Sequence, residues 1–492
     1  MKGTRLTSLD GLPQTIARPG YTPHEHGAGI VHIGLGAFHK AHQAVYTDTA
    51  LAIAGGDWRI IGASLRGTAA AEAMNPQNGL YTLLERDTDG TKARIIGAIS
   101  HVIAASRDRS ALVAALVAPS TRIVSMTVTE KAYGILRSGK LDLTHPAITH
   151  DLANPHEPVG LIGYLVLALN QRRLASTAPF TVLCCDNLPD NGLLVKAGVL
   201  EFADRMDTGL SRWISDHVTF PSTMVDRITP AATSRTTEDA FSLTGFVDQA
   251  AEETEPFSQW VIEDKFCNGR PAWDKAGAIL ANDVRPYEHM KLRMLNGTHS
   301  MLAYSGFLSG KATVREVMAD PHLARLVERH LTAASATLHP LRGVDFARYA
   351  EALKMRFANP AIAHETYQIA MDGTQKLPQR LLIPCLETLQ RQGDIAPFAF
   401  TVAAWMRYCL GRKDDGTPYA LRDPREGELS ACLADAGEDA ALIVDALLRL
   451  PNLFPPALAA SDNFRTAVTS RLSLMLERKM SAAIQAELER PV

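Results

Sequence analysis

The stretch "IVHIGLGAFHKAH", residues 30–42, decides how the first half of the chain is read. A run of Ile and Val ends at Gly34, a second glycine follows at 36, and a helix-like segment comes next. A glycine where the chain must turn sharply, and another where backbone must approach a pyrophosphate, are what the first βα junction of a dinucleotide-binding sheet requires. The helix N-terminus supplies amide donors and the positive end of its dipole. Gly34, Leu35, Gly36, Ala37 and Phe38 are therefore the expected cofactor-binding segment. The third glycine of a GxGxxG pattern is missing and His39 stands in its place, so the motif alone also fits a plain strand-to-helix turn. His39 and His42 have metal-ligand spacing, but no carboxylate or thiol lies near in sequence, which favours surface or capping histidines.

The runs "WRIIGASL" (58–65), "ARIIGAISHVI" (93–103), "STRIVSMTVT" (120–129) and "FTVLCCDNL" (180–188) repeat the strand signal. Helical stretches such as "DRSALVAALVAP" and "PVGLIGYLVLALNQRR" fall between several of them. This alternation predicts an α/β chain with a Rossmann-type, doubly wound parallel sheet over residues 1–284. From about residue 285 the character becomes almost wholly helix-forming, which predicts a mainly α-helical C-terminal domain over 285–492, holding the substrate and catalytic residues.

With 492 residues and 46% hydrophobic content, the chain is long enough for two domains and a cleft. Its 50 basic and 53 acidic residues leave a net charge of −3, which argues against nucleic acid or an anionic membrane as partner. No run reaches the roughly 18 apolar residues of a membrane span, and the N-terminus lacks an apolar signal region. The six cysteines form no CxxC pair, so neither a disulfide framework nor a zinc cluster is signalled; a reducing cytoplasm is the expected setting, and a monomer or small homo-oligomer the expected form.

Hydride transfer to or from a secondary alcohol needs a base for the hydroxyl proton and donors for the developing alkoxide. "KLRMLNGTHS" (291–300) offers Lys291, Asn296 and His299 on what reads as the opening of an apolar helix. At about 100° per residue Asn296 and His299 adjoin, and Lys291 lies up to about 140° round from Asn296, giving one broad polar face. A YxxxK match, Tyr287 to Lys291, belongs in shorter dehydrogenases inside the nucleotide domain, so Lys291 is the better base. Burial and a cationic neighbour such as Arg293 favour its neutral amine. The same residues also fit a snorkelling lysine and a satisfied core histidine. "CCDNLPDNG" (184–192) places Asp186, Asn187 and Asn191 at a strand's C-terminal edge, where open α/β sheets bind ligands, or in an Asx turn. "STMVDRITP" (222–230) puts Asp226 and Arg227 in an apolar strand, where each needs a partner, in the simplest case the other or one across the sheet. After the second strand, "GASLRGTAA" carries Arg66 and hydroxyls instead of a ribose-gripping acid, which tolerates the 2′-phosphate of NADP, unless Arg66 is simply a solvated loop residue.

Taken together, "IVHIGLGAFHKAHQAVYTD", "CCDNLPDNG", "TMVDRITP", "FSQWVIEDKFCNGRPAW" and "MKLRMLNGTHS" resemble, in order and from about residue 28 to beyond 410, the mannitol dehydrogenase and fructuronate reductase family of long-chain polyol dehydrogenases. The resemblance implies a zinc-independent, nicotinamide-dependent enzyme with a Rossmann-type domain and a helical one. It implies that Lys291 is the general base, that Asn187 and Asn296 hold the alkoxide, that His299 positions the substrate, that Glu288 gates proton exchange from the lysine, and that Asp226 lies near cofactor and substrate. "QIAMDGTQKLPQRLL" (368–382) and "KLRMLNG" resemble the fructuronate reductase branch; the mannitol enzymes carry arginine where Gln368 stands. A sugar acid brings a carboxylate, and Arg293, Lys376 and Arg380 are three cations available to meet it unless they are surface charges. The expectation is interconversion of D-fructuronate and D-mannonate with NAD(H). Mannitol 2-dehydrogenation is the alternative, and a non-catalytic nucleotide sensor or a hydroxyacid dehydrogenase, the latter with a fuller GxGxxG, the more distant ones.

Overall fold

Residues 28–33 form strand β1 (Ala28–Ile33), five of whose six residues are buried, as a strand covered on both faces must be. In the computed structural model, which describes residues 3–136, 138–341, 343–361 and 364–490, ten further strands follow. They are β2 (Arg59–Ser64), β3 (Tyr81–Asp87), β4 (Gly90–Ile96), β5 (Ile99–Ala104), β6 (Ile123–Met126), β7 (Thr181–Cys184), β8 (Thr223–Asp226), β9 (Glu252–Thr254), β10 (Gln259–Glu263) and β11 (Ile279–Ala281). The chain divides into two units, residues 1–285 and 286–492.

The first unit is built on a parallel five-stranded sheet, in the order β5-β2-β1-β6-β7. The order reverses at β1, so the crevice beyond the C-terminal ends of β1 and β6 is the ligand position of a doubly wound sheet. Side chains alternate cleanly between its two faces. Val31, Ile33, Val124, Met126, Val182 and Cys184 pack with Leu112, Leu116 and the 161–169 helix segment on one side. Ile30, Ile123 and Leu183 join Ala44, Leu51 and Ile60 on the other. Two small sheets, β11-β10-β8 and β4-β3-β9, complete the unit. The run 93–103, read as one strand, is two: residues up to 96 pair antiparallel with β3, and those from 99 join β2 in the main sheet. The crossing falls at Gly97, whose amide is held by Asp48 at 2.9 Å and whose Cα faces Pro23, so that an added Cβ would lie 2.8 Å from that ring.

The second unit is helical. Helices Gly297–Leu308 and Ala396–Tyr408 are buried almost all round, as sequences lacking a polar stripe should be. Pro321–Ala336 and Phe346–Ala358 begin on Asp320 and Asp345, each accepting two amides of the first turn. The helix of residues 462–489 breaks at Lys479 (φ 68°), and Arg471 and Glu487, both buried, pair at 2.8 Å. Among the described residues no helix is long and apolar enough to cross a membrane, and the six cysteines are free.

Gly34 turns β1 into the following helix at φ +93°, and a Cβ there would sit 2.1 Å from the Thr127 carbonyl oxygen. Gly34→Ala should therefore lower stability by more than about 1 kcal/mol, read as a drop in the denaturant midpoint. Burial pushes His32 down to about 3 and His330 down to about 4. Each binds its proton in the unfolded chain first, so stability is intact above about pH 6.5 and lost as pH falls, by up to about 1.4 kcal/mol per histidine per pH unit. Melting curves between pH 7.5 and 5 should show that fall, and His330→Gln should make it shallower.

Candidate functional site

At the turn after β1 the amides of Gly34 and Leu35 both donate to the Ala63 carbonyl of β2, at 2.8 and 3.2 Å. Leu35 sends its side chain into the core against Gly62, where an added Cβ would lie 2.7 Å from it. Those two residues build the turn. Gly36 caps the helix Ala37–Ala41, and a Cβ there would meet only the Gly34 carbonyl, at 3.8 Å. The first amides of a helix have no partner within it, so Ala37 and Phe38 carry donors toward the open side. Open backbone and forward-facing amides fit a pyrophosphate. His39, in the third-glycine position, is buried, and so is His42, so of the surface or capping histidines expected neither lies at the surface, while His42 occupies the cap position between the helices Ala37–Ala41 and Gln43–Ala54. The His39 ring stacks on His32, with centroids 3.4 Å apart, and His42 Nε2 meets the Gln259 carbonyl at 2.9 Å. His32 in turn bonds Ser125 and Thr127 at 2.9 Å each, and the Thr127 hydroxyl donates to the Gly34 carbonyl at 3.1 Å. Arg66 is exposed two residues past β2.

At the end of β7 the Asp186 carboxylate accepts the Val128 amide at 2.9 Å and the Tyr133 hydroxyl, which fixes the backbone that presents exposed Asn187. Asn191 is structural: its amide donates to the Asp186 and Thr223 carbonyls at 2.9 Å and accepts the Thr223 amide at 3.0 Å. Asp226 is buried at the end of β8, opposite Gln259. Arg227 donates to the Ala41 carbonyl at 2.6 Å and pairs with Glu85 at 2.7 Å.

In the helical unit, Lys291–Asn296 is a π-helical segment, closed by the Gly297 amide on the Leu292 carbonyl five residues back. The expectation of a regular α-helix is thereby corrected. With bonds from i to i+5, residues five apart fall nearly in line, so Lys291 and Asn296 share one face more closely than α spacing allows. Lys291, Asn296 and His299 are all buried. Asn296 Nδ2 and His299 Nε2 are buried with no hydrogen-bond partner among the described residues, an arrangement that needs a ligand or a water to satisfy it. Burial holds His299 well below the usual imidazole range, and His364, Arg356, Arg380 and Lys291 push the same way, so it is neutral. Glu288 lies half-buried in the preceding turn.

A second π-helical segment, Pro378–Leu382, carries Arg380. Its Nη1 lies 3.4 Å from the Asn296 carbonyl and 3.5 Å from the Ser300 hydroxyl, both long for hydrogen bonds. Gly297 makes the approach feasible, since a Cβ there would lie 3.0 Å from the Arg380 carbonyl oxygen. Among the described residues Arg380 has no carboxylate partner, and burial lowers its pKa to about 10. Lys376, pushed down to about 8 by burial and then by Arg380, donates to the Met371 and Ile369 carbonyls at 2.6 and 3.2 Å. Arg293, expected beside them, is a correction: it forms a two-pronged pair with Glu387 at 2.6 and 2.9 Å and donates to the Thr337 carbonyl at 2.9 Å. A guanidinium so engaged has little left for a ligand. His364 and Arg356, which no motif pointed to, stand beside His299 instead. Among the described residues no group of three or more His, Cys, Asp or Glu could hold a metal.

Two family profiles match the chain, the mannitol dehydrogenase Rossmann domain over residues 28–275 and the mannitol dehydrogenase C-terminal domain over residues 283–476. The chain is 44% identical over 460 residues to the uncharacterized oxidoreductase YeiQ of Escherichia coli strain K12, covering 93% of this chain and 94% of that one. It is 42% identical over 488 residues to the D-mannonate oxidoreductase of the same strain, covering 98% and 100%. A solved structure, the Pseudomonas fluorescens mannitol 2-dehydrogenase ternary complex with NAD and D-mannitol, matches with a TM-score of 0.89 at 37% identity, over 99% of this chain and 100% of that one.

The two polar neighbours on the π segment should answer mutation oppositely. Arg293→Met strands Glu387, which keeps part of its solvent contact, and should cost about 1–3 kcal/mol. Asn296→Ala removes an amide with an unsatisfied buried donor and should change stability by less than about 0.5 kcal/mol. Urea unfolding of the two variants compares them directly.

Proposed function

Since the chain belongs to the mannitol dehydrogenase family, we propose that it interconverts D-fructuronate and D-mannonate with NAD(H), in the cytoplasm, as a zinc-independent monomer or small homo-oligomer. The observation that carries the substrate is Arg380: a half-buried guanidinium that among the described residues makes only two long hydrogen bonds, beside Asn296 and close to Lys376. A guanidinium partly withdrawn from water, with Asp372 acting on it only at a distance and no carboxylate paired to it among the described residues, is costly, and the carboxylate of a sugar acid reduces that cost through two parallel N–H···O bonds. A neutral polyol does not.

The amides of Gly36, Ala37 and Phe38 would hold the cofactor's pyrophosphate and Arg66 its adenosine ribose, with or without a 2′-phosphate. Bound NAD(H) accepts or supplies the hydride. In the direction of oxidation Lys291 takes the hydroxyl proton. The side-chain amide of Asn296, buried without a partner, donates to the oxygen as negative charge grows on it, and family resemblance assigns Asn187 the same task. Neutral His299 orients a substrate hydroxyl through Nε2, and Glu288 passes the proton from the lysine toward water. Asp226 is assigned to the cofactor side by resemblance.

The similarity to the mannitol-bound P. fluorescens enzyme supports mannitol 2-dehydrogenation as the second reading. Steady-state assays decide between them. D-mannonate should exceed D-mannitol in kcat/KM, with NAD preferred over NADP, and Lys291→Ala should bind NADH yet not turn over. Arg380→Met should lower kcat/KM for D-mannonate about 10²-fold, the loss of a bidentate charge-assisted bond, while mannitol stays within about threefold. A wild-type preference for mannitol overturns the sugar-acid assignment.

A further inference from the structure

His364 stands beside His299 in the helical unit. Its ring meets His299 edge-on, with centroids 5.2 Å apart and planes at 82°. After burial itself, it is the strongest influence on His299, and it in turn feels Lys376. It therefore touches the histidine assigned to the substrate and stands within electrostatic reach of a lysine assigned to the carboxylate. Its backbone is fixed independently of the ring: the Val314 amide donates to the His364 carbonyl at 3.0 Å, and Glu365 pairs with Thr313 across the same junction. The ring is thus not needed to hold the chain in place. Yet among the described residues its Nδ1 is buried with no partner, as Asn296 Nδ2 and His299 Nε2 are. A ring kept for packing alone would be expected to be apolar, because a buried unsatisfied nitrogen costs free energy that an isosteric phenyl avoids.

We propose that His364 is a substrate-binding residue, a second imidazole that hydrogen-bonds a hydroxyl between the reacting carbon and the charged end held by Arg380 and Lys376. The proposal rests on the assignment of this pocket to the substrate, and it adds a residue that neither the motifs nor the family roles include. Burial, and then Lys376, lower His364 to about 4, so at neutral pH it offers one donor and one acceptor, which is what a sugar hydroxyl needs.

The test uses the full chain with His364→Phe, which keeps a ring against His299 and removes both nitrogens, and His364→Gln, which returns a donor and an acceptor. KM, kcat and NADH affinity by fluorescence are measured with D-mannonate and D-mannitol. For the substrate the parent prefers, H364F should raise KM at least tenfold, leave kcat within about threefold and leave NADH affinity within twofold. H364Q should recover most of the KM. An unchanged KM in H364F, or H364Q no better than H364F, overturns the assignment. If H364F does not fold, His364→Ala assayed with and without added imidazole replaces it: a raised KM that imidazole lowers supports the contact, and a KM unchanged from the parent overturns it. The parent's own choice between D-mannonate and D-mannitol tests the sugar-acid reading separately, since His364 is judged on whichever substrate wins.

Discussion

The helical unit depends on a departure from α geometry. One extra residue per turn between Lys291 and Asn296 is what brings amine and amide onto a common face, and a second such departure at 378–382 accompanies the approach of Arg380. The two segments touch where Gly297 has no side chain. π-helical turns form weaker backbone ladders than α turns and persist where packing over-determines them. Here the packing is supplied by the all-round burial of the helix that follows, Gly297–Leu308. Apolar length on one stretch thus supports the π geometry of the one before it.

Charge in that unit follows the same logic. Arg293 and Arg380 lie on the two π segments, but one pairs with Glu387 and the other, among the described residues, has no carboxylate in contact and feels Asp372 only at a distance. The first arrangement ties the π segment to the helix that carries Glu387, and the second makes no such tie. His299, His364 and His330 are kept neutral by burial, so the hydrogen-bonding capacity of these rings does not come with a charge.

How much of this was legible in the sequence follows from the range over which each signal acts. The parallel sheet is readable because burial on both faces writes continuous Ile and Val runs into β1, β2 and β6, and the glycines of the first turn are local requirements. The run 93–103 misleads because both halves are apolar and only Gly97 marks the change of sheet. Lys291, Asn296 and His299 stand out as polar residues in an apolar window, but their mutual angle does not, since nothing in residue identity distinguishes a π turn from an α turn. Arg293 misleads because its partner lies 94 residues further along. His364 is invisible for the same reason: its meaning comes from His299 and Lys376, and its own neighbours in the chain carry no motif.

The turn after β1 uses its glycines in an unfamiliar division of labour. The third glycine of the fingerprint ordinarily lets helix and strand come close, and here a stacked pair of imidazoles occupies that place. The close approach is instead granted from the adjacent strand, where Gly62 leaves room for the Leu35 side chain. A methyl group on β2 would therefore be felt, through Leu35, by the loop after β1. Efforts to redesign nucleotide preference in this scaffold should thus treat the floor beneath the loop as part of the recognition element, and pattern searches that demand three glycines in one segment will overlook chains organised in this way.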